Sequence, residues 1–485
     1  MSAVKVVTAA SATLRPDRHR TAKHIHKMSG RATIQPVVCP ILAIPPEITW
    51  SIFSLYVDAP HIGCMPMGHR IGRGPLRLAT VCKSWREICL SHPSLWASFR
   101  VYAHEMYHSR IDAFIDFLRC WISRAGNLPL DIAILRPPQN YDDGSLSRGM
   151  TKIFSTLPEY SAHVRSLKVI LGMWVSFPSE ELHGCVPHLE RLTLVAGHGY
   201  DKSAGPLTGF QDAPRLREVY LSGFTLRDIS LPWTQLTHLE LGDGFESALE
   251  ILEQTTQLAV LLVEFPEGMQ DDDEPDFTHP PLTLTHLHTV QLWDVMDTRL
   301  LQYLTLPALT TLDVGYTNPG SFPILHALGI RSGWSLRTLS LKAVGCGQMI
   351  TLLESVPSLE EVEIIYTHQT LDPLFKRLQT DGAFLPELVT MKIKRYGFGV
   401  SAQTLEGMIS VRRTRLKLFH LFFEFEAPAR AKMDDTSVAE ISAFFSPLEG
   451  FDFAIGMTQP VAEMASILSR RRLSIDSRCL GISHR

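Results

Sequence analysis

From about residue 160 the chain repeats one short pattern: an apolar residue, two of any kind, a second apolar residue, one of any kind, and a third apolar residue. It begins as V-R-S-L-K-V at Val164 and L-E-R-L-T-L at Leu189. It recurs from Leu216, Leu236, Leu258, Leu287, Leu309, Leu336, Leu359, Leu388 and Leu416, with a weaker L-E-G-F-D-F from Leu448. Successive copies start between 20 and 32 residues apart, and five carry a proline two places upstream, at Pro187, Pro214, Pro307, Pro357 and Pro386. The last two apolar positions are two residues apart, so they point to one side of a strand, while the first anchors the turn leading into it. A single strand of this kind cannot bury its apolar side, but stacked copies bury a continuous row. The pattern therefore predicts an α/β chain with a parallel sheet on one face and helices or irregular segments on the other. Phe245 to Gln254 and Gly347 to Ser355 fit the returning helices. The alternating Leu130-Asp131-Ile132-Ala133-Ile134 predicts a strand capping the array. Asp434 to Phe445 predicts a late helix, capped by Asp434, Asp435 or Thr436, with Val438, Ile441, Phe444 and Phe445 facing inward.

This pattern resembles the leucine-rich repeat over roughly residues 160 to 455, which implies a solenoid with its parallel sheet on the concave face. The family's asparagine or cysteine after the last leucine is missing, its place taken by Gly197, Phe224, Gly244, Val295, Thr317 and Val344. Without that ladder of backbone-satisfying side chains the solenoid is expected to be irregular. Residues between the apolar strand positions face outward: Lys168, Arg191, Glu218, Tyr220, His238, Glu240, Thr289, Asp313, Thr338, Glu361, Glu363 and Lys392. This lane, through Arg191, Glu218, Tyr220, His238, Glu240, Asp313, Glu361, Glu363 and Lys392, is the expected surface for a target protein.

Ahead of the array, I-L-A-I-P-P-E-I-T-W-S-I-F-S-L-Y (41–56) has prolines suited to a helix start, with Ile48, Ile52 and Tyr56 recurring every fourth residue. In P-L-R-L-A-T-V-C-K-S-W-R-E-I-C-L-S-H-P-S-L-W (75–96), Leu78, Val81, Trp85 and Ile88 form one helical stripe that Pro93 stops. So few residues build only a small core, and an apolar helical patch that cannot cover itself is a docking face. These segments resemble the F-box. The resemblance rests on Ile44-Pro45-Pro46-Glu47-Ile48, Ile52-Phe53, Leu78, Val81-Cys82, Trp85-Arg86, Ile88, Pro93 and Leu95-Trp96, in a form similar to that of mushroom-forming fungi. Ile44 stands where the family has leucine, and Asp58 to Gly74 is a long Gly/Pro-rich insertion. The resemblance implies that Ile44, Pro45, Glu47, Ile48, Ile52, Phe53, Leu78, Val81, Trp85, Ile88, Leu95 and Trp96 grip a Skp-type adaptor. That adaptor would join the chain to a cullin and a ubiquitin-transfer machine, in the cytoplasm or nucleus. The expected organisation is a disordered basic leader (1–40), the F-box module (41–100), a linker helix and cap strand (101–160), the repeats (161–455) and a tail (456–485).

Composition adds constraints. Hydrophobic residues make up 45% and charged ones 20% of 485 residues, a globular balance that argues against wholesale disorder. The formal net charge of −4 offers no global field for nucleic acid or an acidic membrane. Eight cysteines without a C-x-x-C pair suit free thiols in a reducing compartment, and no apolar run is long enough to span a bilayer. The leader, with Lys5, Arg15, Arg18, Arg20, Lys23, Lys27 and Arg31 against Asp17, could be read as an organelle address, but Pro16 and the His/Arg run interrupt an amphipathic helix.

One motif points elsewhere. His104-Glu105-Met106-Tyr107-His108 would place two imidazoles and a carboxylate together on a helix, as in zinc peptidases. It lacks a third ligand: Ile111 and Phe114 stand where one family continuation needs Gly and His, and the next glutamate downstream is Glu159. Ile111, Phe114, Ile115, Leu118 and Ile122 instead continue the same side as the apolar stripe of a linker helix. His61, Cys64 and His69 lack a fourth ligand, and D-D-D-E-P-D (271–276) reads as a solvated loop. R-R-R-L-S (470–474) offers Ser474 to a basophilic kinase, and G-H-G-Y-D-K-S-A-G (197–205) lacks the phosphate-cradling order. Three readings result: a non-catalytic ligase substrate receptor without cofactor, a repeat scaffold, and a zinc peptidase.

Overall fold

The computed structural model describes residues 44–57, 61–63, 74–102, 111–135, 145–171, 177–196, 200, 205–242, 245–264, 280–293, 298–315, 317, 320–344, 346–367, 370–396, 402–423 and 452–457. Its strands are β1 (His61–Gly63), β2 (Ser98–Tyr102), β3 (Leu130–Leu135), β4 (Val164–Leu171), β5 (Arg191–Ala196), β6 (Glu218–Ser222), β7 (His238–Leu241), β8 (Val260–Glu264), β9 (Leu282–Thr283), β10 (Thr289–Trp293), β11 (Leu304–Thr305), β12 (Thr311–Val314), β13 (Thr338–Val344), β14 (Glu361–Thr367), β15 (Thr390–Tyr396), β16 (Leu418–Phe423) and β17 (Asp452–Met457). The helices are α1 (Pro46–Tyr56), α2 (Pro75–Ala79), α3 (Lys83–Ser91), α4 (Ile111–Ala125), α5 (Ser145–Phe154), α6 (Phe245–Gln254), α7 (Ser321–Ser332), α8 (Cys346–Glu354), α9 (Asp372–Thr380) and α10 (Ala402–Arg412).

Among the described residues, fifteen strands form one sheet laid out in chain order, β1 to β8, then β10 and β12 to β17, while β9 and β11 pair separately. Every pairing in the large sheet is parallel. The repeat explains the register. From Leu167 with Leu192, through Leu192 with Val219, to Met391 with Phe419, the second apolar position of each copy is the Cα partner of the same position in the next. The third apolar positions line up the same way, Val169 with Leu194 and on to Ile393 with Leu421. A slip by one residue would turn both rows out of the core.

The leading positions are as deeply placed: Leu216, Leu236, Leu287, Leu309, Leu336 and Leu359 are fully buried. Each such leucine contributes about 1.5–3 kcal/mol of burial. The weak last copy corrects the sequence reading. Phe419 is the Cα partner of Phe453 rather than Phe451, so that copy is displaced by two residues. The strand expected at Leu130 forms as β3, with β2 and then β1 on its outer side. Helices form at both expected return segments, as α6 and α8. The expected helix at 434–445 lies outside the described residues.

Polar backbone groups between the strands are satisfied by side chains reaching from neighbouring turns. Gln235 Nε2 donates to the carbonyls of Ala213 (2.7 Å) and Leu216 (3.0 Å). Arg331 on α7 donates to those of Leu301 (2.8 Å) and Leu304 (3.0 Å). Ser332 Oγ accepts from the backbone N–H of Leu306 at 2.9 Å. Arg412 on α10 reaches four carbonyls, those of Asp381 (2.6 Å), Phe384 (2.7 Å), Leu378 (2.8 Å) and Leu385 (3.2 Å). Buried backbone groups need partners wherever the chain turns, and each of these side chains satisfies a different local geometry.

Burial also separates the thiols. Cys89 is fully enclosed and its thiol is pushed up to about 11 by desolvation; the buried Cys346 is raised for the same reason. Cys120 and Cys185 are exposed. Iodoacetamide at neutral pH will label Cys120 and Cys185 and leave Cys89 and Cys346 unmodified until denaturant is added, because the thiolate is the reacting species. Peptide mass mapping reads the result. Labelling of Cys89 at the rate of Cys120 would contradict this core.

Candidate functional site

Helices α1, α2 and α3 form one surface. Pro45 and Pro46 start α1, with Thr49 Oγ1 donating to the Pro45 carbonyl at 3.1 Å. Phe53 turns inward, 2% exposed, and meets Trp85 edge-on with ring centroids 4.9 Å apart. The second segment is not the single stripe its spacing predicts. It breaks after Ala79, and α3 restarts at Lys83 with Cys82 Sγ accepting from the Trp85 N–H at 3.5 Å. Arg86 Nε donates to the Ala79 carbonyl (3.0 Å) and ties the two pieces together. The break separates Val81 from Leu78 and Ile88, which are both buried, and leaves Val81 60% exposed. Pro93 does not simply end the helix; it opens a 3-10 turn that carries Leu95 and Trp96 into the core.

Trp96 is the joint between this surface and the sheet. Its Nε1 donates to the Cys89 carbonyl (2.8 Å), and its own carbonyl accepts from Trp121 Nε1 on α4 (2.9 Å). The two indoles meet edge-on at 4.7 Å, and the Arg124 guanidinium lies 4.5 Å above the Trp96 ring. Two residues further on, β2 begins. Helices and strands thus share one core, in which Phe53, Leu78 and Trp96 belong with Leu118, Trp121 and Ile132.

Residues 41–101 match the F-box-like family. No curated protein matches the chain. F-box domains in general dock Skp-type adaptors of cullin ubiquitin ligases. Within the F-box-like module of this chain, the predicted adaptor residues divide in two. Phe53, Leu78, Ile88, Leu95 and Trp96 are core, and Trp85 is half-buried beside them. Pro45 and Glu47 are exposed, Ile44 is half-buried, and Ile48 (54%) and Ile52 (48%) stand open to solvent. Leu55, at 87% exposure, extends that open row, a position the sequence reading gave to Tyr56. Tyr56 is partly buried against the core instead. Ile48, Ile52 and Leu55 are spaced by four and three residues and therefore lie along one helical face.

The second surface is the sheet side opposite the buried rows. Glu218 is half-buried, His238 exposed and Asp313 half-buried. Tyr220, Glu240 and Glu363 lie on the expected lane but are 6%, 7% and 3% exposed, since in-register strands pack their side chains shoulder to shoulder at under 5 Å spacing. Tyr220 joins Ile170 and Val195 in a small apolar cluster of its own. Arg191 leans on Asp131 (3.3 Å), which also takes a two-pronged bond from Arg165 at 2.6 and 3.1 Å. Lys392 donates to Glu361 (2.6 Å), and Lys394 to Glu363 (2.7 Å).

His104, Glu105 and His108 lie outside the described residues, as do Cys64, His69, residues 271–276 and residues 470–474. Glu159, the next glutamate after that motif, is held by Arg119 through bonds of 2.6 and 2.9 Å, which pull its carboxyl below the usual range. Among the described residues no group of three or more His, Cys, Asp or Glu is placed to hold a metal ion, and no helix is long and apolar enough to cross a membrane.

Proposed function

We propose that this chain is the substrate-recognition subunit of a Skp-cullin-F-box ubiquitin ligase. Its F-box-like helices dock the adaptor, and its sheet, read as an irregular leucine-rich-repeat solenoid, holds the target on the outward lane. The observation carrying the reading is the open row Ile48, Ile52 and Leu55, with Val81 also exposed, inside a segment that matches the F-box-like family. Solvent-facing aliphatic rows cost solubility and are retained where a partner covers them. The chain itself performs no chemistry in this reading; it supplies proximity between target and ligase. The scaffold reading, in which the helices merely cap the sheet, draws on the Trp96–Trp121 joint, yet a cap needs no open aliphatic row.

Charge insertion on that row is the test. Ile48→Asp with Ile52→Asp will abolish co-purification with a Skp-type adaptor, more than a hundredfold in affinity, while the thermal midpoint stays within about 2 °C because both positions are surface ones. Undiminished adaptor capture, or no capture by the unaltered chain, refutes the docking assignment.

A further inference from the structure

A basic rim runs along the end of the sheet at which the strands begin. Its backbone is one continuous ladder: Thr237 donates its N–H to the Arg217 carbonyl, and Ala259, His288, Thr310 and Arg337 each donate to the member before. These residues directly follow the leading leucines Leu216, Leu236, Leu258, Leu287, Leu309 and Leu336. Over those copies, the two positions on either side of the leucine hold one acid, Glu218, against Arg215, Arg217, His238, His286, His288 and Arg337. All six basic side chains are exposed. In the same ladder position, acids stand only beyond this stretch, at Glu190 on one side and Glu360 on the other.

The bonds these groups make steady them and supply little counter-charge. Arg217 donates to the carbonyls of Pro214 (3.3 Å) and Leu216 (2.9 Å). The Thr237 and Thr289 hydroxyls lie 3.0 Å from Nδ1 of His238 and His288. Among the described residues only Arg337 of the six pairs with an acid, Glu360 at 2.6 Å, and that pair is open to solvent. A guanidinium has more donors than these bonds use, and each imidazole keeps a second ring nitrogen for another group. With adjacent strands about 4.8 Å apart, Arg217, His288 and Arg337 stand at intervals of about 14 and about 10 Å along the ladder. An extended polypeptide advances about 3.3 Å per residue, so acids about four and about three residues apart would reach them in turn.

We propose that this rim, from β6 to β13, binds an extended acidic segment of a separate protein. Its carboxylates meet Arg217, His288 and Arg337 in turn, with Arg215, His238 and His286 beside them. Single-stranded nucleic acid also carries spaced anions, but it is held by aromatic faces on which its bases stack. Trp233 and Trp334, which lead into these turns, are packed against the core instead. The occupant is therefore a polypeptide. The proposal goes beyond the receptor reading and does not depend on adaptor docking.

The test uses the full chain at neutral pH and three fluorescein-labelled probes: a peptide of glutamate, serine and glycine, the same peptide with lysine for glutamate, and an oligouridylate. Fluorescence anisotropy will show saturable binding of the first, weakening as salt rises, and none of the other two. Arg215→Gln with His286→Gln and His288→Gln will weaken the acidic peptide at least tenfold and leave the thermal midpoint unchanged, because all three side chains are exposed. Unchanged affinity in the triple variant, equal binding of the lysine peptide, or an oligouridylate bound as tightly as the acidic peptide overturns the proposal. A second variant, with Asp271, Asp272, Asp273 and Asp276 changed to Asn and Glu274 to Gln, addresses the chain's own acidic run. If the acidic peptide binds only in that variant, the run is the occupant and the separate partner is refuted; equal binding with and without the run's charges supports the separate partner.

Discussion

Trp96→Ala will destabilise the protein by about 3–5 kcal/mol, the range for truncating a fully buried tryptophan. The loss combines the ring's packing against Trp121, the hydrogen bond to the Cys89 carbonyl and the stacked Arg124. Its consequence is more specific than a lower midpoint. Trp96 ties α1–α3 to α4 and β2, so the variant's F-box-like helices will melt before the sheet, splitting one urea transition into two. Hydrogen exchange resolved by peptide follows the first transition in the amides of α1–α3 and the second in those of the sheet strands. Adaptor capture will fall with the first. Trp96→Phe, which keeps most of the volume and loses the Nε1 donor, will cost about 1–2 kcal/mol and retain a single transition. A Trp96→Ala protein that unfolds at the native urea midpoint would show that helices and sheet do not depend on a common core.

That shared core bears on function. In the receptor reading, a target held on the lane sits at a set distance from the adaptor because no flexible linker intervenes between Trp96 and β2. A ligase depends on that distance: residence near the transfer site replaces a bimolecular encounter with a local one.

The repeats were legible in the sequence because their signal is strict. Two apolar positions with one residue between them, preceded by a third, dictate which side of each strand is buried, and the observed register from Val164 to Leu421 follows from that rule. The same rule failed at Leu448, where Phe451 and Phe453 both satisfy an alternating pattern and only pairing with β16 decides between them. The break at Thr80–Cys82 was hidden because Leu78, Val81, Trp85 and Ile88 keep a helical period across it. The signal that could have revealed it is Cys82 itself, a side chain able to cap a new helix start. Of the open row on α1, Ile48 and Ile52 were legible from spacing; Leu55 was not, because Tyr56 continues the same period and only the position of the core shows which of the two faces water. On the lane, alternation identified the side on which Glu240 and Glu363 lie but gave no measure of their burial, which arises from neighbours far away in sequence.

The turn after α9 yields the second large effect. Arg412→Ala will cost about 3–5 kcal/mol, less than the sum of separate bonds to a charged donor because all four carbonyls are served by one side chain. The carbonyls belong to the end of α9 and the turn that follows it, where Leu385 holds a positive φ of 49°, a conformation that a residue other than glycine adopts only when its surroundings impose it. Burial pulls the Arg412 pKa down from its usual value, so the guanidinium is kept there at a desolvation cost that only the bonds offset. Arg412→Lys will recover little, since an ammonium cannot span carbonyls arranged around a planar fork. Urea unfolding at unchanged m-value measures the loss. The turn at 381–385 will also exchange its amide hydrogens faster in the variant than the strands β14 and β15 on either side of it. A loss below about 1 kcal/mol would place Arg412 among ordinary surface arginines and leave the α9 carbonyls to water.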